Sequence, residues 1–197
     1  SLRRQRQMCI RDRFRHYLAP MILTGATVVS WREDGFLSRG SVYQWRQDHH
    51  ASFSHHADNF LQFVPITGML LLDGMGIRPG KGYESMKEQL KLLAGSQLVM
   101  AMLVYPIKEL SNVERPNGRN DKSFPSGHTA QAFMAATVLH RTFGERSIWI
   151  SVGAYGVATA TGAMRILNNA HWLTDVLAGA AVGILSVNLT HDLLLHH

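Results

Sequence analysis

The sequence is poor in cysteine and in charged residues, and both shortages restrict its chemistry. Charged residues make up 17% of the 197 residues and hydrophobic residues 46%, a balance that excludes an intrinsically disordered chain. No cluster of Asp and Glu offers a magnesium site, and there is no internal repeat or low-complexity segment. The length suits one ordinary domain or one small membrane bundle.

Residues 1–13 differ in character from the rest of the chain. They show no apolar periodicity and no signal-peptide core, and they contain five arginines and Cys9, the only cysteine. From Arg3 onward the run resembles a translated sequencing-library adapter. We interpret it as a non-native extension of a single domain at 14–197; a genuine basic juxtamembrane N-terminus is the alternative.

Setting this run aside changes what the charge and the cysteine count imply. The net charge falls from +6 to +2, so the basic balance is no longer evidence for a nucleic-acid partner, and we expect none. No cysteine remains, which excludes disulfides, thiolate metal sites and a cysteine nucleophile.

Six stretches lack Asp, Glu, Lys and Arg. Each has about 14 to 18 residues, slightly fewer than the ~20 needed to span a bilayer core, but flanking Lys and Arg side chains can snorkel and extend the usable length. The stretches are residues 16–31, 59–72, 92–107, 123–140, 147–164 and 176–191.

Small residues are dense in the last three stretches, for example Gly153, Gly156, Gly179 and Gly183. Close helix packing in lipid uses such residues. In the alternative, a soluble helical bundle, each interior glycine would cost about 1 kcal/mol relative to alanine. We therefore predict an all-α protein, a six-helix transmembrane bundle, with residues 32–58 as a long polar connection whose histidines are solvated rather than bound to a metal.

Three clusters of cationic and titratable residues interrupt the apolar sequence at the ends of these stretches. If successive stretches cross a membrane back and forth, all three clusters lie on one face. Their members are Lys108 with Arg115 and Pro116; Pro125, Ser126, Gly127 and His128; and Arg165, His171 and Asp175.

Each cluster alone has an ordinary structural interpretation, such as a snorkelling lysine, a helix cap or an i,i+4 pair. Together they predict a phosphate site. Lys108, Arg115 and Arg165 would neutralise an oxyanion, and the backbone N–H groups of Ser126 and Gly127 at a helix start would add affinity.

The two histidines and Asp175 supply the predicted reaction chemistry. We expect His171, oriented by Asp175 one turn later, to be a nucleophile, because a carboxylate holds its other ring nitrogen. We expect His128 to protonate the leaving oxygen as a general acid. With three fixed cations around the phosphate, we expect neither a metal ion nor another cofactor.

The order and spacing of these motifs resemble the type 2 phosphatidic acid phosphatases (PAP2), a family that shares its fold with class A acid phosphatases and vanadium haloperoxidases. The resemblance covers about residues 59–190, with Met164 where the family usually has Ser. It implies a six-helix core, a phosphohistidine intermediate at His171 and metal-independent hydrolysis of a phosphomonoester or diphosphate. The region from Thr159 to Trp172 looks like members from Bacteroidetes-type bacteria.

The resemblance implies a lipid phosphatase of the bacterial inner membrane, with phosphatidate, phosphatidylglycerophosphate, undecaprenyl diphosphate or lipid A as substrate. The positive-inside tendency puts the site on the periplasmic or exterior side. The alternatives are a soluble acid phosphatase, a haloperoxidase and a degenerate membrane protein in which Met164 marks lost catalysis. The sequence leaves the oligomeric state open.

Overall fold

A computed structural model describes the backbone of residues 2–32 and 35–195, and the side chains of 16–32 and 35–194. These residues form eight α-helices and no β-strand. The helices are α1 (Leu2–Ser30), α2 (Arg39–His50), α3 (Asp58–Leu61), α4 (Val64–Gly74), α5 (Met86–Ser111), α6 (Gly127–Phe143), α7 (Ile148–Leu167) and α8 (Leu173–Leu195).

The all-α class predicted from the sequence is confirmed. The six apolar stretches fall largely on α1, α4, α5, α6, α7 and α8. The backbone of residues 2–13 belongs to α1, but their side chains lie outside the described residues, so the adapter interpretation stays a prediction. The polar connection is more ordered than expected, since it contains α2, whose N-cap Ser38 accepts a hydrogen bond from the backbone N–H of Ser41.

Helix α6 is the centre of the molecule. Twelve of its 17 residues are buried, among them Met134, Val138 and Phe143. It packs against α4, α5, α7 and α8, while α8 also packs against α1 and α5. This helix is therefore the core of the fold, and its N-terminus places Ser126 and His128 at one end of the molecule.

Glycines let α6 and α8 approach closely. A Cβ added at Gly179 would lie 2.5 Å from the carbonyl oxygen of Ser126, and one at Gly183 would clash with the backbone of Ala130. The small residues noted in the sequence therefore allow the backbones of these two helices to come into contact.

Two of the described helices, α5 and α8, are long and apolar enough to cross a membrane. The two helices differ in their surroundings. The protein buries 72% of the most apolar 18-residue segment of α8, as in a core helix, but only 22% of the corresponding segment of α5. Leu98, Met102 and Tyr105 of α5 are each more than 60% exposed, an apolar surface that soluble monomers avoid. The six-span arrangement stays a prediction.

The helix ends define two opposite faces. On one face Arg146, which follows α6, donates hydrogen bonds to the carbonyl oxygens of Arg78 and Pro79 in the α4–α5 connection. The other face holds the ends of α5 and α7 and the starts of α6 and α8. The 17 residues of α6 separate these faces by about 25 Å.

Candidate active site

The three clusters predicted to share a face meet where α6 and α8 begin. Ser126 caps α6 by accepting a hydrogen bond from the Thr129 N–H, and Gly127 is the first helical residue. The backbone N–H of Ser126 donates to the carbonyl oxygen of Asp175 at 2.9 Å. This bond joins the second cluster to the third, and it holds the N-terminus of α6, where backbone N–H groups favour an anion.

His171 lies in the short turn between α7 and α8 and is 3% exposed. Its Nδ1 lies 3.3 Å from Oδ2 of Asp175. Because an ionised carboxylate only accepts hydrogen bonds, this contact assigns the ring proton to Nδ1 and leaves the lone pair on Nε2. Burial lowers the pKa of His171 to about 4, although Asp175 opposes the shift, so the ring is neutral at pH 7.

Oδ2 of Asp175 is also held by two other donors. It accepts hydrogen bonds from the Ser123 hydroxyl at 2.5 Å and from the Trp172 backbone N–H at 2.9 Å. Asp175 is fully buried, and these bonds fix its carboxylate beside His171. No role for Ser123 is predicted from the sequence, because a serine that begins an apolar stretch carries no signal of its own.

Lys108, near the end of α5, is anchored to the loop that leads into α6. Its ammonium donates to the carbonyl oxygens of Lys122 at 2.9 Å and Pro125 at 2.8 Å. An ammonium has three donors, so these two bonds position the charge and leave one N–H for a ligand.

Arg115 and Arg165 approach the same space from a loop and from α7. Nε of Arg115 donates to the Asn120 side chain at 3.1 Å. Burial, followed by the charge of Arg165, lowers the pKa of Arg115. The two guanidinium groups therefore repel each other across a partly dry space, and a bound anion would relieve that repulsion.

Arg165 is paired on one side and unpaired on the other. Its Nη1 forms a salt bridge of 2.5 Å with Oδ2 of Asp58, a residue that is 1% exposed. Its Nε is buried and has no hydrogen-bond partner among the described residues. An unpaired guanidinium N–H next to other cations is a donor that an oxyanion could engage.

His128, on the first turn of α6, contacts the chain that precedes α4. Its Nε2 lies 2.9 Å from Oδ1 of Asn59, which is next to Asp58. Asn168 bridges the same segment, accepting from the His55 N–H at 2.9 Å and donating to Oδ1 of Asp58 at 3.1 Å. Residues 55–59 therefore form a strap over the start of α6 and the end of α7.

Sequence reasoning missed Asp58, Asn59 and Asn168. Asp58 and Asn59 stand at the boundary between a polar segment and an apolar stretch, where they resemble ordinary helix caps. Asn168 lies within the Bacteroidetes-like region from Thr159 to Trp172, for which no individual roles are predicted. The one available signal was an acidic residue entering an apolar stretch without a local cationic partner.

Other predicted features can also be located. Met164 lies on α7 next to Arg165 and is partly exposed, and no contact explains its presence in place of Ser. Among residues 16–32 and 35–194, no three His, Cys, Asp or Glu side chains cluster as metal ligands. His49 and His50 end α2, where Trp45 packs against both rings.

Comparison with known proteins gives consistent results. Residues 83–195 match the family model of the PAP2 superfamily. A lipid A 1-phosphatase of Porphyromonas gingivalis is 44% identical over 137 residues, which are 68% of this chain and 30% of that protein. The chain thus spans about a third of this curated relative's length.

The fold has a counterpart among solved structures. The crystal structure of Aquifex aeolicus LpxE superimposes with a TM-score of 0.56 and 23% identity, covering 76% of this chain and 93% of that chain. The resemblance to the PAP2 family is confirmed, and so is its Bacteroidetes style, since Porphyromonas belongs to that group.

Proposed function

The chain belongs to the PAP2 superfamily, and from this premise we propose that it is a phosphatase that removes a phosphate group from a membrane lipid. The observation that carries the proposal is the side chain of Arg165, whose buried Nε has no partner while Arg115 and the His171–Asp175 pair face the same space. Cations with unsatisfied donors beside a neutral, carboxylate-oriented histidine suit phosphoryl transfer.

The proposed reaction proceeds in two steps. Nε2 of His171 attacks phosphorus, forming an N–P bond, while the P–O bond to the lipid breaks and His128, as the imidazolium, gives a proton to the leaving oxygen and becomes neutral. Water, deprotonated by His128, then attacks the phosphohistidine and releases inorganic phosphate. Lys108, Arg115, Arg165 and the backbone N–H of Gly127 would stabilise the equatorial oxygens. The N–H of Ser126, which the sequence also suggested for this role, is already bonded to the carbonyl oxygen of Asp175.

Lipid A phosphate is the substrate we place first. Support comes from the 44% identical relative, whose name is lipid A 1-phosphatase. Phosphatidate, phosphatidylglycerophosphate and undecaprenyl diphosphate are the other lipids in the proposal, because the phosphate site would treat a monoester and a diphosphate alike.

We further propose six membrane crossings of the inner membrane, one by α3 and α4 together and one each by α1, α5, α6, α7 and α8, with the site on the periplasmic side. The opposite face carries Arg78, Lys81, Lys87, Arg141 and Arg146, in keeping with the positive-inside tendency. Two of the arginines on the site's face are engaged within the protein. Nε of Arg46 donates to the carbonyl oxygen of Leu167, and Arg39 lies over the rings of Trp31 and Trp172.

The test is phosphate release from a panel of these lipids by detergent-solubilised protein, with EDTA present. We expect release that persists in EDTA and disappears in His171→Ala, with at least one lipid preferred. Asp48→Ala, an exposed change on α2, is the matched control and should retain full activity.

Other outcomes would replace the proposal. Loss of release in EDTA would overturn the metal-independent mechanism. Activity on soluble esters alone, by protein in the supernatant after membrane sedimentation, would favour a soluble acid phosphatase. Halide oxidation with vanadate would favour a haloperoxidase, and folded protein inactive on every substrate would favour a degenerate membrane protein.

A further inference from the structure

An apolar cavity of about 410 Å³ lies beside the proposed phosphate site. Its walls come from α1 between Thr24 and Trp31, from Ile107 of α5, from the Phe124–Pro125 segment, and from α8 between Ala178 and Val182. This volume falls in the range of ligand pockets.

The surface of the cavity is almost wholly apolar. Its only hydroxyl-bearing wall residues are Thr24 and Thr27, and both hydroxyls donate to carbonyl oxygens of their own helix, those of Pro20 and Leu23, at 2.8 Å. The threonines therefore lack a spare donor, and the other walls are aliphatic or aromatic. An apolar space of this kind favours hydrocarbon over water.

The cavity and the phosphate site share their boundary. The carbonyl oxygen of Pro125 accepts the hydrogen bond from Lys108, so one residue contacts both. Ile107 directly precedes Lys108, and Ala178 follows Asp175 by three residues, about 4.5 Å along the axis of α8. From Ala178 to Val182 the wall continues about 6 Å further from the site.

We propose that this cavity holds one hydrocarbon chain of the substrate lipid while its phosphate occupies the site formed by Lys108, Arg115 and Arg165. The inference rests on the proposed phosphatase function and adds the position of the chain. Helix α1, which supplies one wall, lies outside the residues 83–195 that match the family model. Chain recognition thus depends on a part of this protein that the family motifs do not include.

The first experiment narrows the cavity from α8. Ala181 lines it and is 5% exposed, so Ala181→Leu adds volume into the space. We measure KM for phosphatidates with two 4-carbon and two 16-carbon chains in the same detergent micelles. We expect KM to rise at least tenfold for the long chains and to stay within twofold for the short ones.

The matched control is Ala160→Leu, the same change at an exposed position of α7 away from the cavity, which should leave both KM values unchanged. Because Ala181→Leu is a buried change that can disturb folding, Val28→Trp provides a second narrowing from α1, where Val28 is 66% exposed. The inference is overturned if both variants are folded and both keep the wild-type dependence on chain length.

A binding experiment separates this inference from the proposed function. His171→Ala protein is irradiated with a long-chain phosphatidate that carries a photoreactive group near the chain end. We expect labelled peptides from residues 24–31 and 178–182. Labelling there without phosphate release by the wild type would retain the cavity as a chain site and overturn the phosphatase, whereas release with labelling elsewhere would overturn the cavity alone.

Discussion

At the scale of single residues, the role of His128 is best tested by comparing substrates whose leaving groups differ in basicity. Its Nε2 lies 2.9 Å from Oδ1 of Asn59, so the ring is oriented from outside α6. If His128 protonates the leaving oxygen, His128→Ala should lower kcat about 10²- to 10⁴-fold for a lipid alkoxide but much less for p-nitrophenyl phosphate, whose leaving group needs no proton. Equal losses on the two substrates would rule out the acid role.

The burial of His171 predicts that its ring stays neutral well below pH 7. Because burial disfavours the charged ring, the pKa falls to about 4, and the neutral nucleophile persists as pH falls from 7 to 5. Protonation inactivates it only as pH falls through about 4. We expect the ¹⁵N shifts of this ring, assigned with His171→Gln, to titrate near pH 4 in detergent; titration near 6.5 would contradict the prediction.

Asp58 is the positioning residue that sequence reasoning did not identify. It pairs with Arg165 at 2.5 Å and is 1% exposed. Asp58→Ala removes the group that orients the guanidinium and leaves a partly buried charge uncompensated. We expect about tenfold weaker inhibition by vanadate, a phosphate analogue, and a lower melting temperature.

Asp48→Ala on α2 is the control for this change, since Asp48 is exposed, and it should alter neither vanadate inhibition nor melting temperature. Asp58→Glu should recover part of the vanadate affinity if the carboxylate matters. Vanadate inhibition that is unchanged in Asp58→Ala would show that the salt bridge is structural only.

At the scale of helices, the close approach of α6 and α8 predicts a contrast between two glycines. Gly179→Ala would bring a Cβ to 2.5 Å from the carbonyl oxygen of Ser126, so one helix must shift at the site itself. We expect a loss of about 1–3 kcal/mol and reduced activity. Gly153→Ala on α7 has no neighbouring atom within 4 Å and should gain about 0.5–1 kcal/mol.

Thermal unfolding in detergent measures both variants. The prediction is wrong if Gly179→Ala melts at or above the wild-type temperature with full activity, because the two helices would then tolerate a methyl group between them.

The sequence could predict those helices that have a recognisable local pattern, such as an apolar stretch or a capping residue. The apolar stretches and the helix start at Ser126 predicted the positions of the long helices, because apolar length and capping are local properties. Helix α2 was missed since its polar sequence shows no apolar stretch, and the one cue was the cap at Ser38. The motif spacing predicted which residues meet, but contacts such as Asp58–Arg165 join residues 107 positions apart and need the fold.

At the scale of the whole molecule, the two opposite faces predict an observable sidedness. The exposed residue Asn117 lies in the α5–α6 connection on the site's face, and the exposed residue Glu84 lies in the α4–α5 connection on the other. In a Cys9→Ser background the chain has no other cysteine, so Asn117→Cys and Glu84→Cys each carry a single thiol. If the site faces the periplasm, a membrane-impermeant maleimide added to spheroplasts should label Asn117→Cys at once.

Glu84→Cys should react only after the membrane is permeabilised, because the basic face would lie in the cytoplasm. The two variants control for each other, since both thiols are exposed and both lie in loops. The reverse pattern would put the phosphate site in the cytoplasm, and equal labelling of both in intact spheroplasts would contradict the spanning arrangement of α5. The expected pattern would put α5 across the bilayer, with its exposed apolar side chains facing lipid.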